Sequence, residues 1–127
     1  MSTRSHIGII ARDGCIKAVH CHCDGYLSFT GKRLLENHNS VPLARKLIEK
    51  GNMKFVDFPM DDAEMAMRYK SIFDYYAAIT RHFTDIEYFY LYAIDKSVLN
   101  KRGWWVSKDG HEWAYLTIAM NKDGNND

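Results

Sequence analysis

The chain has 127 residues, of which 46% are hydrophobic and 26% charged, with a formal net charge of +1 and a pI near 7.7. This length fits one domain that can bury a core without staples, and the composition argues against disorder and against a bilayer-spanning segment. A balance so close to neutral gives no global pull on nucleic acid and none of the acidic surplus of a nucleic-acid mimic.

Taken in order, Ser5 to Ala11 reads as a strand with Ile7 and Ile9 on one face and His6, Gly8 and Ile10 on the other. Asp13-Gly14 predicts a type I′ hairpin turn, and Cys15 to Cys23 the return strand. Alternation sets Val19, Cys21 and Cys23 on one face and Ala18, His20, His22 and Asp24 on the opposite one. The pattern then changes period. Ser28 or Thr30 can cap a helix reaching His38, and Asn39 or Ser40 can cap a second, with Pro42 in its first turn and Gly51 at its end. Met53 to Pro59 has no clear period and reads as an extended connection.

Met65, Tyr69, Ile72, Tyr76, Ile79 and Phe83 recur at helical spacing, widened by Phe73, and predict a long helix over 61–83. Asp61, Asp62 and Glu64 at its start and Arg81 and His82 at its end suit the helix macrodipole. Ile86 to Ile94 is aromatic on both faces, as in a central strand. After the polar loop 95–103, Trp104 to Ser107 and Glu112 to Ile118 predict a hairpin across Lys108-Asp109-Gly110, with Leu116 to Met120 able to turn helical instead. Residues 1–120 are therefore expected to form one α+β domain and 121–127 a flexible tail. The expected sheet is antiparallel, of about four or five strands, with the long helix on one face and the two short helices at its edge.

Several motifs taken together, Ser2-Thr3-Arg4-Ser5 with Ile7, Asp13-Gly14, Cys21-His22-x-Asp24-Gly25-Tyr26 and Gly31-x-x-Leu34-Leu35, resemble a family of small phage and prophage proteins of unassigned function. In that family the x before Asp24 is usually tryptophan, and here it is Cys23. The likeness runs as far as Lys50, touches the Trp-rich C-terminal hairpin loosely and does not extend to the middle of the chain. It implies a phage-associated origin and transfers no catalytic residue.

The densest chemistry is His20-Cys21-His22-Cys23-Asp24. His20, His22 and Asp24 superficially resemble the metal motif of the metallo-β-lactamase fold, which needs a further histidine where this chain has Gly25 and a much longer sequence. A plainer metal site could recruit His6 from the neighbouring strand, but a structural site wants four fixed ligands, so no resident metal or other cofactor is expected. The bland alternative is a half-exposed sheet face on which the two imidazoles are held by hydrogen bonds. The cysteines point away from the histidines, which works against a Cys-His nucleophile. With three thiols in all and no apolar leader ahead of them, they are expected to be reduced and the compartment cytoplasmic, that of the host cell if the chain is phage-encoded.

No P-loop, dinucleotide fingerprint or nucleophile elbow occurs, which leans the reading away from an enzyme. The first expectation is therefore a non-enzymatic accessory protein that binds and modulates a host or host-defence protein, with Lys101, Arg102, Trp104 and Trp105 as its contact corner. The alternatives use His20, His22, Asp24 and Tyr26 as a small-ligand or nucleotide pocket, or as a metal-dependent hydrolase. Nothing points to a membrane partner, and a homo-oligomer is left open.

Overall fold

The computed structural model describes residues 3–60 and 64–125. Strands β1 (Ser5–Ile10) and β2 (Ile16–Cys21) form the expected antiparallel hairpin, in the register that sets Ile7 opposite Val19 and His6 opposite His20. Its turn is one residue longer than Asp13-Gly14 predicts. The Gly14 N–H donates to the Ala11 carbonyl at 2.9 Å and the Ala11 N–H to the Cys15 carbonyl at 2.8 Å. Gly14 takes φ +91° while Asp13 stays at negative φ, so a type I turn followed by a left-handed glycine replaces the type I′ turn.

Beyond β2 the chain turns through Asp24, at φ +56°, and Gly25, whose N–H donates to the Thr3 carbonyl at 2.9 Å. A Cβ on Gly25 would lie 2.5 Å from the Ser5 Oγ, so this crossing needs glycine. A π-helical turn, Leu27–Gly31, runs into α1 (Lys32–Asn37). Helix α2 (Val41–Glu49) starts where Ser40 accepts the Leu43 N–H at 3.3 Å, carries Pro42 in its first turn and is followed by Gly51 at φ +80°. These are the caps its sequence announces.

The connection 53–59 is itself a small hairpin, β3 (Met53–Phe55) and β4 (Phe58–Pro59), reversed through Asp57 at φ +76°. The expected helix over 61–83 is the main correction in the middle of the chain. Met67–Tyr69 is strand β5, paired antiparallel with β2, and α3 spans only Ile72–His82. Ser71 accepts the Asp74 N–H at 3.1 Å and so starts the helix there. The shorter helix also faces differently: Tyr75 and Ile79 are buried, whereas Phe73 and Tyr76, assigned to the inner stripe, are exposed. Asp61 and Asp62 lie outside the described residues.

Strand β6 (Tyr88–Ala93) stands within the predicted Ile86 to Ile94 and is buried along almost its whole length. It is followed by β7 (Gly103–Ser107), β8 (Ala114–Tyr115) and α4 (Leu116–Asn125), so the last segment takes the helical alternative and stays helical where a tail was expected to begin. The sheet order is β4-β3-β2-β1-β6-β7-β8, with β5 also on β2. Eight strands thus replace the four or five expected, and the sheet is mixed: β1 pairs β6 in parallel from Ser5 opposite Tyr88 to Ile10 opposite Ala93, and β2 meets β3 in parallel at Cys21 and Met53. A parallel pair needs a long crossover, and α3 lies in the connection that brings the chain back beside β1.

Helices cover both faces of this α+β sheet. On one, Ile7, Ile9, Val19, Cys21, Tyr90, Tyr92 and Trp104 pack against Leu34 of α1, Ala44, Leu47 and Ile48 of α2 and Leu116 of α4. On the other, Ile16, Ala18, Phe89 and Leu91 pack against Tyr75 and Ile79 of α3. The two short helices therefore lie across a face and not at the edge, because the stripe Ala44, Leu47, Ile48 is as apolar as the sheet beneath it.

Candidate functional site

Because His6 and His20 are direct partners across β1 and β2, both rings stand on the α3 side of the sheet. His6 is wholly buried, with Phe83 and Phe89 edge-on at centroid distances of 4.6 and 5.2 Å. Its Nδ1 lies 2.9 Å from the Tyr75 hydroxyl and its Nε2 3.1 Å from Nδ1 of His20. Burial, helped by the neighbouring His20, holds the His6 pKa down to about 3, so this ring is neutral at physiological pH. A neutral imidazole donates from one nitrogen and accepts at the other.

The direction of the chain follows from Tyr75. Its hydroxyl is fully buried and His6 is its hydrogen-bond partner, so the O–H must donate to Nδ1 or be left stranded. His6 then donates from Nε2 to Nδ1 of His20, and the proton of neutral His20 sits on Nε2. Protonating His20 would set one N–H against another. Burial, and then the neighbouring His22, lowers its pKa against the opposing pull of Glu64 and Asp85.

His20 opens into a cleft of about 450 Å³ walled by Arg4, His22, Asn52, Glu64, His82 and Asp85, among others. Arg4 pairs with Asp85 at 2.5 Å, and Asn52 Oδ1 accepts the backbone N–H of His20 at 2.9 Å. With Arg4 spent on Asp85 and Glu64 on the wall, the cleft carries no cationic surplus.

Of the four residues assigned to a pocket, the fold brings His20 and His22 together, with ring centroids 6.3 Å apart, and leaves Asp24 and Tyr26 outside the cleft. Asp24 serves the turn instead, its carbonyl accepting the Thr30 hydroxyl at 2.7 Å, and Tyr90 anchors the next residue by donating to the Gly25 carbonyl at 2.7 Å. His6, the suggested fourth metal ligand, has both nitrogens engaged. Among the described residues no group of three His, Cys, Asp or Glu side chains is disposed to hold a metal ion. The Cys21 thiol is buried and pushed up to about 11, chiefly by that burial, which makes it a poor nucleophile at neutral pH.

The second predicted surface loses its first tryptophan. Trp104 is buried and donates to the His38 carbonyl at 3.0 Å, so it cannot reach a partner. Trp105, forced to the other face by strand alternation, is partly exposed, donates to the Lys101 carbonyl at 2.8 Å and meets Tyr115 at 5.3 Å. Lys101 lies 4.7 Å above the Tyr115 ring, and the Tyr115 hydroxyl donates to the Arg102 carbonyl at 2.8 Å.

A further surface is not visible in the sequence. Tyr26 and Phe29 stand 6.2 Å apart, Phe29 and Phe55 6.2 Å, and Phe55 and Phe58 4.2 Å, with the Arg33 guanidinium 4.6 Å over Phe29. Tyr26 is 38% and Phe58 53% exposed, so the ladder runs from half-buried rings out to solvent at the β3–β4 hairpin. Phe55 and Phe58 carried the only advance signal, two phenylalanines in a stretch read as mere connection. Comparison of the chain with protein-family models, with curated proteins and with solved structures finds no match in any of the three.

Proposed function

We propose that the protein is a non-enzymatic binding protein that engages another protein through the aromatic ladder Tyr26, Phe29, Phe55 and Phe58, capped by Arg33. The observation that carries this reading is the set of three successive ring contacts, with Arg33 over Phe29, ending in a phenylalanine that is 53% exposed. Aromatic residues and arginine dominate the energetic centres of protein interfaces, and exposed rings in contact lose little freedom when a partner covers them. The likeness of the chain up to Lys50 to small phage and prophage proteins supports a host or defence protein as that partner, met in the host cytoplasm. No helix among the described residues is long and apolar enough to cross a membrane.

The test is partner capture from host lysate, followed by affinity measurement on the partner identified. Tyr26→Ala and Phe58→Ala should each cost about 2 kcal/mol of binding, with thermal unfolding unchanged because both side chains are exposed. Full binding by both variants, together with loss on Trp105→Ala, would move the interface to the Lys101, Arg102 and Trp105 corner.

One observation favours a second reading. The Tyr75–His6–His20 chain is a buried polar network ending in an open cleft, and such networks cost more than the apolar packing they displace unless every member is satisfied. It supports binding of a small uncharged polar molecule at His20. It does not support base catalysis, because the chain delivers His20 as a donor. His22→Ala should weaken such a ligand while leaving partner binding intact.

A further inference from the structure

On the opposite side of β2 from the histidine cleft, a pocket of about 220 Å³ lies between the C-terminal half of α2, the far end of β1 and strand β5. Its floor is apolar, with Ile9 and Ile48 buried and Ile94 half-buried. Three cations from three elements stand around it: Lys17 of β2, Arg45 of α2 and Arg68 of β5. Against them, among the described residues, the lining holds one carboxylate, Glu49. None of the three makes an ion pair or side-chain hydrogen bond with a described residue, although Arg4 and Arg12 elsewhere on the surface do pair. Positive charge gathered at one spot of a chain with net charge +1 is a local arrangement, not a global bias.

We infer that this pocket binds a small amphipathic anion, a compact apolar body on Ile9, Ile48 and Ile94 with its carboxylate or phosphate held between Arg45, Arg68 and Lys17. Apolar walls with a few convergent polar groups are the usual make-up of a ligand site, and guanidinium groups match the two oxygens of either head group. The volume is that of about seven liquid waters, which limits the apolar body to a short chain or a single ring. That chemistry has two sources, a short acyl carboxylate and an aryl phosphate.

The experiment is a heteronuclear NMR titration of the full chain with hexanoate, phenyl phosphate, hexan-1-ol and inorganic phosphate. Hexanoate or phenyl phosphate should bind with shifts centred on the amides of Ile9, Ile48 and Ala66, and which of them binds more tightly tells the source. Hexan-1-ol and inorganic phosphate, each carrying half of the recognised chemistry, should bind at least about tenfold more weakly, and raising the salt should weaken the anions alone. The double variant Arg45→Ala, Arg68→Ala, at two exposed positions, should lose about tenfold in affinity for the anion with the fold intact. Ala66→Trp, which fills the seat and keeps the cations, should abolish the shifts at Ile9. Equal binding of hexan-1-ol and hexanoate, undiminished binding by the double arginine variant, or no saturable shift with either anion would overturn the inference.

Discussion

His6 shows how one residue couples burial, tautomer and stability. Replacing it with leucine fills much of the same space but strands the Tyr75 hydroxyl, which has no other partner among the described residues, and an orphaned buried hydroxyl costs about 1–3 kcal/mol. Removing the hydroxyl as well should return most of that loss. In urea denaturation, His6→Leu is therefore expected to be less stable than the double variant His6→Leu, Tyr75→Phe, an order that simple additivity would reverse. The same residue sets a pH dependence. Folded His6 takes a proton only near pH 3, whereas the unfolded chain takes it near 6.5, so its contribution is fully present above 6.5 and is lost as pH falls towards 3. Stability should drop by about 1.4 kcal/mol per pH unit in that window. Urea midpoints at pH 7.5, 5.5 and 4.5 check this, with a flatter profile expected for the double variant; parallel profiles for the two proteins would assign the acid sensitivity to other groups.

Elements whose signals are local were legible in the sequence, and those set by distant partners were not. The β1–β2 hairpin, the capped start and glycine end of α2, and strand β6 all follow from residues within a few positions of one another. The turn type was misread because Asp13-Gly14 looks the same whether one residue or both take positive φ. The helix over 61–83 failed for a different reason. Met65 and Tyr69 do continue the spacing of Ile72 and Ile79, but β2 has a free edge at Ile16 to Ala18, and pairing it with Met67–Tyr69 satisfies backbone groups that a longer helix would leave open. The boundary was nonetheless written in Ser71-x-x-Asp74, a cap with an acidic residue in the first turn. Ser71→Ala is expected to cost about 1 kcal/mol, read from thermal unfolding, with Ser71→Asp close to wild type. No change in either variant would mean that tertiary packing alone places the start of α3. The histidine cleft was half legible: alternation put His6, His20 and His22 on one face, while Tyr75, the group that orients them, comes from a helix 69 residues away.

At the scale of the whole molecule, β1 is the axis, flanked by β2 and β6 and buried at each of its six positions. Its parallel partner is more than seventy residues away in sequence, since Ile10 faces Ala93. Such a pairing forms only when much of the chain is already in place, so amides of β1 and β6 should exchange with solvent only through global unfolding. Hydrogen exchange is expected to rank β8 and β4 well below them, and a β6 that exchanged as fast as β8 would mean that the sheet opens between β1 and β6. The outermost strands matter in one more way. Phe58–Pro59 and Ala114–Tyr115 each contribute only two residues, and one of those at the β4 end is a proline, which has no N–H to offer. A row of unpaired backbone groups is what recruits further strands and seeds fibres. At β4 and β8 the described residues present a row only two residues long, so neither of these two strands is a ready template for a further strand and the exposed rings at Tyr26 and Phe58 stand beside an edge that does not itself recruit one.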